Sequence, residues 1–299
     1  MNTILVAKPG LLTTVQDLGR YGYGVIGVSP SGAADSLALR IGNLLVGNTE
    51  GAAALEMTLL GGTFEFPQGA VIALTGAEFA ATIDGVPAAG WMAHCVPAGG
   101  RLTTGTSRDG ARCYLCVTGG VDVMRVLGSA STHILSGLGG RRLKKGDVLP
   151  IGPERAQPRN PPPLLEIQYR KVLRVTRGVQ SDWFTTDLCD GAYRVTEQAD
   201  RMGLRLEGPA LHTTGERSMV TEGVPLGAVQ VPPGGQPIIL FVEQQTTGGY
   251  PKVANVIAAD LPSVAQLRPR DEIRFEWVSP VEARKLLLEQ EAMIRNAFD

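Results

Sequence analysis

The chain has 299 residues, which fits one large or two medium domains. Apolar residues make up 43% and charged residues 19%, with a net charge of -1. That composition supports a packed core and excludes a disordered chain, and near-neutrality lacks the electrostatic footprint of a partner for nucleic acid or an anionic membrane. Gly 38 and Pro 20 imply many tight turns, which are commonest in β-rich folds.

Residues 3–8 read as a short strand, and Thr13 to Gly24 as a polar, glycine-punctuated loop. Leu37, Ile41, Leu44 and Leu45 recur at helical spacing from Asp35 to Val46, with Gly47-Asn48 as a stop. Alternation then predicts strands at Leu55–Leu59, Thr63–Phe66 and Val71–Leu74. Ala81 to Val86, turning at Asp84-Gly85, reads as a hairpin, and Asp109-Gly110 repeats that signal before Ala111–Val117. Six prolines between Pro150 and Pro163 predict a stiff linker over 151–163, dividing an N-terminal half, 1–150, from a C-terminal half, 164–299. Strands are expected again at Val172–Val175, Tyr193–Val195, Pro237–Val242 and Ile273–Phe275. Ser279-Pro280-Val281-Glu282 is a capping box with proline at the first helical position, and it opens a terminal helix to about Asn296. Three short matches in the same order link the halves. Thr49–Gly51 resembles Thr221–Gly223, Phe64–Gly69 resembles Val229–Gly234, and Leu143–Leu149 resembles Leu267–Ile273, suggesting two related β-halves.

No basic, apolar leader opens the chain, and apolar runs such as Ala70–Leu74 fall far short of the ~20 residues that span a bilayer. The expectation is a soluble, cytoplasmic protein without nucleic-acid or membrane partners. Phosphate-loop, nucleophile-elbow and HExxH motifs are absent, as is the Met-Lys-Met tripeptide for biotin attachment. Cys113 and Cys116 form a CxxC inside an alternating strand with no second pair, which reads as structural, so no metal is expected. The three histidines are scattered in sequence.

Three polar, glycine-rich stretches remain. Gln16-Asp17-Leu18-Gly19-Arg20 with Ser31-Gly32-Ala33-Ala34-Asp35 offers carboxamide, carboxylate, guanidinium and hydroxyl groups before a helix. The helix start could hold an anion, or Ser31 or Asp35 could simply cap it. Gln244 to Pro251 follows a buried run and is either a ligand loop or an unusual hairpin. Asp200 to Gly208 carries two arginines suited to an anion or to surface ion pairs.

These stretches resemble the biotin-dependent carboxyltransferase family, also called allophanate hydrolase subunit 2. The similar blocks are Thr13–Arg20, Ser31–Asp35, Leu44–Asn48, Val117–Val123, Val126–Ser129, Asp200–Gly203 with Arg205–Pro209, Gln244–Pro251 and Ala259–Pro262. The resemblance implies a mainly β, cyclophilin-like barrel architecture, with two related barrel halves and a few helices. Free-standing members are similar to the C subunit of ATP-dependent 5-oxoprolinases, which works with a B subunit of related fold and a lactam-opening A subunit to convert 5-oxoproline to glutamate. They are also similar to KipA, which binds and opposes a kinase inhibitor. Fused relatives transfer a carboxyl group from biotin to urea. From their side-chain chemistry Asp17, Asp35 and Arg201 are the expected catalytic residues, the carboxylates orienting substrate or accepting a proton and Arg201, with Arg20, clamping an anion. Gln16, Arg20, Ser31, Gln245, Thr246, Thr247 and Tyr250 are expected to bind a small-molecule substrate, with loops of both halves meeting at one crevice. ATP is expected to bind mainly a partner, and biotin only under the carboxyl-transfer alternative. The chain departs from the family pattern at Ser29-Pro30, at Val242-Glu243 and at Arg270-Asp271, where Gly-Asp is common.

Overall fold

The computed structural model describes residues 2–153, 157–158, 167–215 and 219–298. Most of the expected Pro-rich linker, 154–156 and 159–163, lies outside the described residues. The chain forms two compact units. The first comprises Met1–Arg20, Ser31–Glu166 and Ile294–Asp299, and the second Tyr21–Pro30 and Ile167–Met293. Each unit thus borrows a short segment from the other side of the Pro-rich stretch. Among the described residues, no helix is long and apolar enough to cross a membrane.

The first unit contains β1 (Thr3–Lys8), β2 (Leu12–Gln16), α1 (Ser36–Leu45), β3 (Ala54–Thr58), β4 (Thr63–Phe66), β5 (Ala70–Ile83), β6 (Val86–Pro87), β7 (Ala93–Val96), β8 (Gly100–Val117) and β9 (Val148–Pro150). They form one nine-stranded sheet whose main path runs β2-β3-β8-β4-β1-β9, with β5 paired to β6, β7 and β8. The long β8 organises it: β4 pairs with its first residues, β3 with Arg112–Leu115, and β5 along most of its length. Register shifts between Gly76 and Ala81 mark bulges in β5, and bulges bend and twist a strand. The curled sheet, a half-barrel, encloses a core that includes Ile4, Val6, Leu55, Phe64, Phe66 and Leu115.

The glycine signal of the sequence predicts a loop across Thr13–Gln16. In the structure this segment is β2, paired in register with β3 from Leu12↔Thr58 to Gln16↔Ala54. The β-branched run Thr13-Thr14-Val15 suits a pleated strand, and the glycine signal applies only from Gly19 onward. Cys113 and Cys116 lie buried in β8, and burial pushes the Cys113 thiol up to about 12 and raises that of Cys116 further. Both stay protonated thiols at neutral pH, packed as small apolar groups.

The second unit contains β10 (Val172–Arg177), β11 (Ala192–Val195), β12 (Gly203–Glu207), β13 (Glu222–Gly223), β14 (Ala228–Gln230), β15 (Ile238–Leu240), β16 (Thr247–Gly248), β17 (Lys252–Val256), α2 (Leu261–Gln266), β18 (Glu272–Trp277) and the greater part of α3 (Pro280–Phe298), whose last turn from Ile294 is counted with the first unit. Seven strands close a barrel in the order β10-β17-β14-β15-β12-β11-β18, and β13 and β16 pair separately. Leu173, Val175, Tyr193, Leu204, Ile239 and Phe275 are buried, and the Tyr193 and Phe275 rings meet edge-on with centroids 5.6 Å apart. Asp260 ties β10 to α2: its carboxylate accepts the Arg174 amide at 2.8 Å and pairs with the Arg174 guanidinium. The capping serine of α3 behaves as expected, with Ser279 Oγ accepting the Glu282 amide at 3.1 Å.

The repeated segments enter different pairings. Leu143–Leu149 leads into β9, antiparallel to β1, whereas Leu267–Ile273 leads into β18, which lies between a parallel β10 and an antiparallel β11. The departure at Arg270 also becomes legible. Arg270 has φ +75°, the left-handed region where glycine is unstrained and a side chain is not.

Candidate functional site

The expected site residues fall into two groups, one in each unit. In the first unit, the loop leaving β2 folds back onto the segment Val126–Thr132. Asp17 is its clasp. Its Oδ1 accepts the Gly19 amide at 2.8 Å, Ser129 Oγ at 2.6 Å and Ser131 Oγ at 2.5 Å, and its Oδ2 accepts the Ala130 amide at 2.7 Å. The Arg125 guanidinium stands 3.7 Å from Oδ2. Arg20, almost fully buried, donates to the carbonyls of Val126 and Ser131. Gln16 Nε2 donates to Thr132 O at 2.9 Å and Ser31 Oγ donates to the same carbonyl at 3.0 Å. Ser31 does so from a left-handed conformation, φ +57°, a strained state that the surrounding bonds hold. Beside it, Gly32 has φ +92°, and a Cβ there would lie 2.9 Å from the Gly19 amide nitrogen, so the two loops touch backbone to backbone.

Asp35 sits in an adjoining network. Its Oδ1 accepts the Ala38 amide at 2.9 Å, capping α1, and its own amide donates to Tyr114 Oη at 2.8 Å. Tyr114 in turn donates to Glu56 Oε2 at 2.7 Å, which also accepts the Ala34 amide at 2.9 Å. Burial, with the Glu56 and Asp35 charges beside it, holds the Tyr114 phenol well above its ordinary value, so it remains a neutral donor.

From the sequence, Asp17 and Asp35 are expected to orient substrate or accept a proton, and Arg20 and Arg201 to clamp an anion. The lone pairs of Asp17 are occupied by backbone and serine donors, Asp35 is wholly buried as a helix cap, and Arg20 is engaged by backbone carbonyls. These groups hold a glycine-rich loop entering a helix. Asp35 caps that helix, the alternative the sequence allowed for it, while Asp17 and Arg20 bind backbone and serine groups away from the helix start.

The second group has a different character. Gln245, Thr247 and Tyr250 are exposed and Thr246 is half-buried. Their loop is held from beneath. Gln245 Nε2 donates to Gln230 Oε1 at 3.1 Å, Gln230 Nε2 to Tyr250 O at 3.3 Å, and the Val224 amide to Thr246 O at 3.1 Å. Tyr250 borders a hollow of about 760 Å³ also walled by Trp183, His212, Thr213, Val231 and Pro232. Arg201 lies at the root of the loop: its carbonyl accepts the Glu243 amide at 2.8 Å, and its guanidinium pairs with the Glu243 carboxylate. Both side chains are buried, so the charge of Arg201 is matched within the chain.

Sequence reasoning missed Ser129, Ser131, Glu56 and Tyr114 in the first unit, and Gln180, Glu222, Gln230 and Lys252 in the second. A readable signal existed for one of them. Glu56 is a charge inside the otherwise strand-forming run Leu55–Leu59, and such a charge is buried only with partners. Among the described residues, no group of three His, Cys, Asp or Glu side chains could hold a metal ion.

Comparison with known proteins places this architecture. The family model described as carboxyltransferase domain, subdomain A and B, matches residues 26–277. The chain is 41% identical over 295 residues to the 5-oxoprolinase C subunit of Escherichia coli, covering 96% of this chain and 94% of that protein. It is 34% identical over 322 residues to urea amidolyase of Saccharomyces cerevisiae, covering 98% of this chain but 18% of that one. Among solved structures, urea amidolyase of K. lactis superimposes with a TM-score of 0.92 at 32% identity, over 99% of this chain and 20% of that chain. The chain therefore spans nearly all of the 5-oxoprolinase relative and about a fifth of the urea enzymes.

Proposed function

The chain belongs to the family of carboxyltransferase domains with subdomains A and B, and from that premise we propose that it serves as the C subunit of an ATP-dependent 5-oxoprolinase in the cytoplasm. In this reading it works with a lactam-opening A subunit and with a B subunit of related fold, and together they hydrolyse 5-oxoproline to glutamate. The observation that carries the reading is the similarity to the 5-oxoprolinase C subunit over almost the full length of both chains.

A lactam amide is resonance-stabilised, so opening it requires activation and accurate placement. Gln245, Thr246, Thr247 and Tyr250 are the groups assigned to substrate contact. Their carboxamide, hydroxyl and phenol groups match an amide carbonyl, an amide N–H and a carboxylate. Arg201 and Glu243 position the root of that loop. Gln16, Asp17, Arg20, Ser31 and Asp35 position the loop ahead of α1. Arg201 is paired with Glu243 and Arg20 is engaged by carbonyls, so these two expected site arginines do not fit a triphosphate, and ATP is assigned to a partner protein.

A second reading, carboxyl transfer from biotin to urea or a similar amide, is compatible with the 0.92 TM-score to urea amidolyase. Biotin would then arrive on another chain. Co-expression with candidate A and B subunits separates the two. ATP-dependent glutamate release from 5-oxoproline that requires this chain supports the first. Its absence, together with capture of an avidin-detectable partner, supports the second.

A further inference from the structure

The loop from Gln245 to Tyr250 is exposed and buries little apolar surface, so the hydrophobic core does not fix its position. Something polar must. Lys252, in the barrel strand β17, is only 3% exposed, and a buried ammonium requires a counter-charge. Its Nζ pairs with the carboxylate of Glu222, whose side chain is 40% exposed. Gln180 completes the arrangement, donating from Nε2 to Glu222 Oε1 at 2.9 Å while its Oε1 accepts the Lys252 amide at 3.1 Å. Glu222 belongs to β13, which pairs in register with β16 inside the loop, Glu222↔Gly248 and Gly223↔Thr247. The next residue, Val224, receives Gln244 Nε2 on its carbonyl at 2.9 Å. Gly248 is pressed so close that a Cβ would fall 2.7 Å from Gln230 Nε2.

These contacts run in one line from rigid barrel to exposed loop: β17, Lys252, Glu222, β13, β16. We infer that Lys252 and Glu222 are a positioning pair, which fixes the Gln245–Tyr250 loop on the barrel and thereby sets affinity for the small-molecule substrate. Neither residue is assigned contact with substrate. The pair acts by holding the loop's carboxamide, hydroxyl and phenol groups in a single arrangement before binding, which removes an ordering cost from the binding step. This inference rests on the proposed function for its substrate and on the structure alone for its tether.

The test has two arms. Hydrogen exchange on the isolated full chain is compared among wild type, Lys252→Met, Glu222→Gln and the double variant. The half-exposed Glu222 makes Glu222→Gln the safer variant for folding. Faster exchange confined to 221–224 and 245–250, with β10, β14 and β17 unchanged and the double variant no worse than either single one, is the expected result. Unchanged exchange in 245–250 overturns the inference whatever the substrate. In the complete three-component complex, the expected result is a KM for 5-oxoproline raised about tenfold or more with kcat changed by less than about threefold. A loosened loop with unaltered KM overturns it. If the wild-type complex releases no glutamate, the proposed function fails on its own, and the exchange arm still decides the tether.

Discussion

Each unit carries a polar, glycine-rich segment that looks alike in sequence, and the two do opposite things. In the first unit the segment is swallowed. Gln16, Asp17, Arg20, Ser31 and Asp35 are all buried, and their polar atoms hold backbone amides and carbonyls in an irregular path. In the second the segment is presented. Gln245, Thr247 and Tyr250 face solvent, and buried residues beneath them, Gln230 and Lys252, do the holding. Glycine permits close approach in both places. What separates them is where the polar partners lie: the Asp17 loop finds the serines and amides of Ser129–Ser131, whereas the Gln245 loop finds its partners below and leaves its upper face free. A polar motif in a sequence therefore announces organised backbone, and only the location of its partners says whether a ligand can reach it.

The largest effect that would sharpen this contrast is Asp17→Ala. It strands two backbone amides and two serine hydroxyls in a buried site and should cost about 3–5 kcal/mol in urea unfolding. Thr247→Ala, on the exposed loop, should change the same measurement by less than about 0.5 kcal/mol. Equal costs at the two positions would erase the distinction. Tyr114→Phe is the next step down. It removes the hydroxyl that joins Glu56 to the Asp35 amide, and a loss of about 1–3 kcal/mol is expected by thermal unfolding.

Acid sharpens the comparison with smaller effects. The Arg141 hydrogen bonds lower the Asp147 carboxyl in the first unit, and those from Lys252 and Gln180 lower Glu222 in the second. A carboxyl lowered on folding contributes stability above its unfolded pKa of about 4 and loses that contribution as the pH falls through the lower folded value. The difference in urea midpoint between wild type and Asp147→Asn should be flat from about pH 8 to 5 and shrink below about pH 4. Because Arg141 is largely exposed, the effect should stay under about 1 kcal/mol. Glu222→Gln should likewise loosen residues 245–250 at pH 7, and that difference from wild type should vanish in strong acid. The smallest change is a gain. Arg270→Gly relieves a left-handed side chain, at the loss of an exposed ion pair with Glu197, and should stabilise the second unit by up to about 1 kcal/mol.

Much of the fold was legible because its signals are local. The α1 spacing, the Ser279 cap and the alternation at β3, β4 and β18 each depend on neighbours within a few residues. Where reading failed, a distant partner was decisive. Thr13–Gln16 became a strand because β3 pairs with it, and the internal matches do not foretell that β9 pairs, among the described residues, only with β1, antiparallel, while β18 lies between a parallel β10 and an antiparallel β11. The candidate site divided in the same way. Gln245, Thr246, Thr247 and Tyr250 could be picked out as polar groups released after a buried run. Lys252 and Glu222, thirty residues apart, could not be paired without the structure.

By itself the sequence determined a β-rich, near-neutral chain with glycine-hinged polar loops and the blocks that mark its family, because propensity, turn chemistry and motif spacing are properties of adjacent residues. Only the tertiary structure decided which of those loops are sealed and which are open. Burial and charge pairing depend on residues brought together from far apart, such as Asp17 with Ser131 or Lys252 with Glu222.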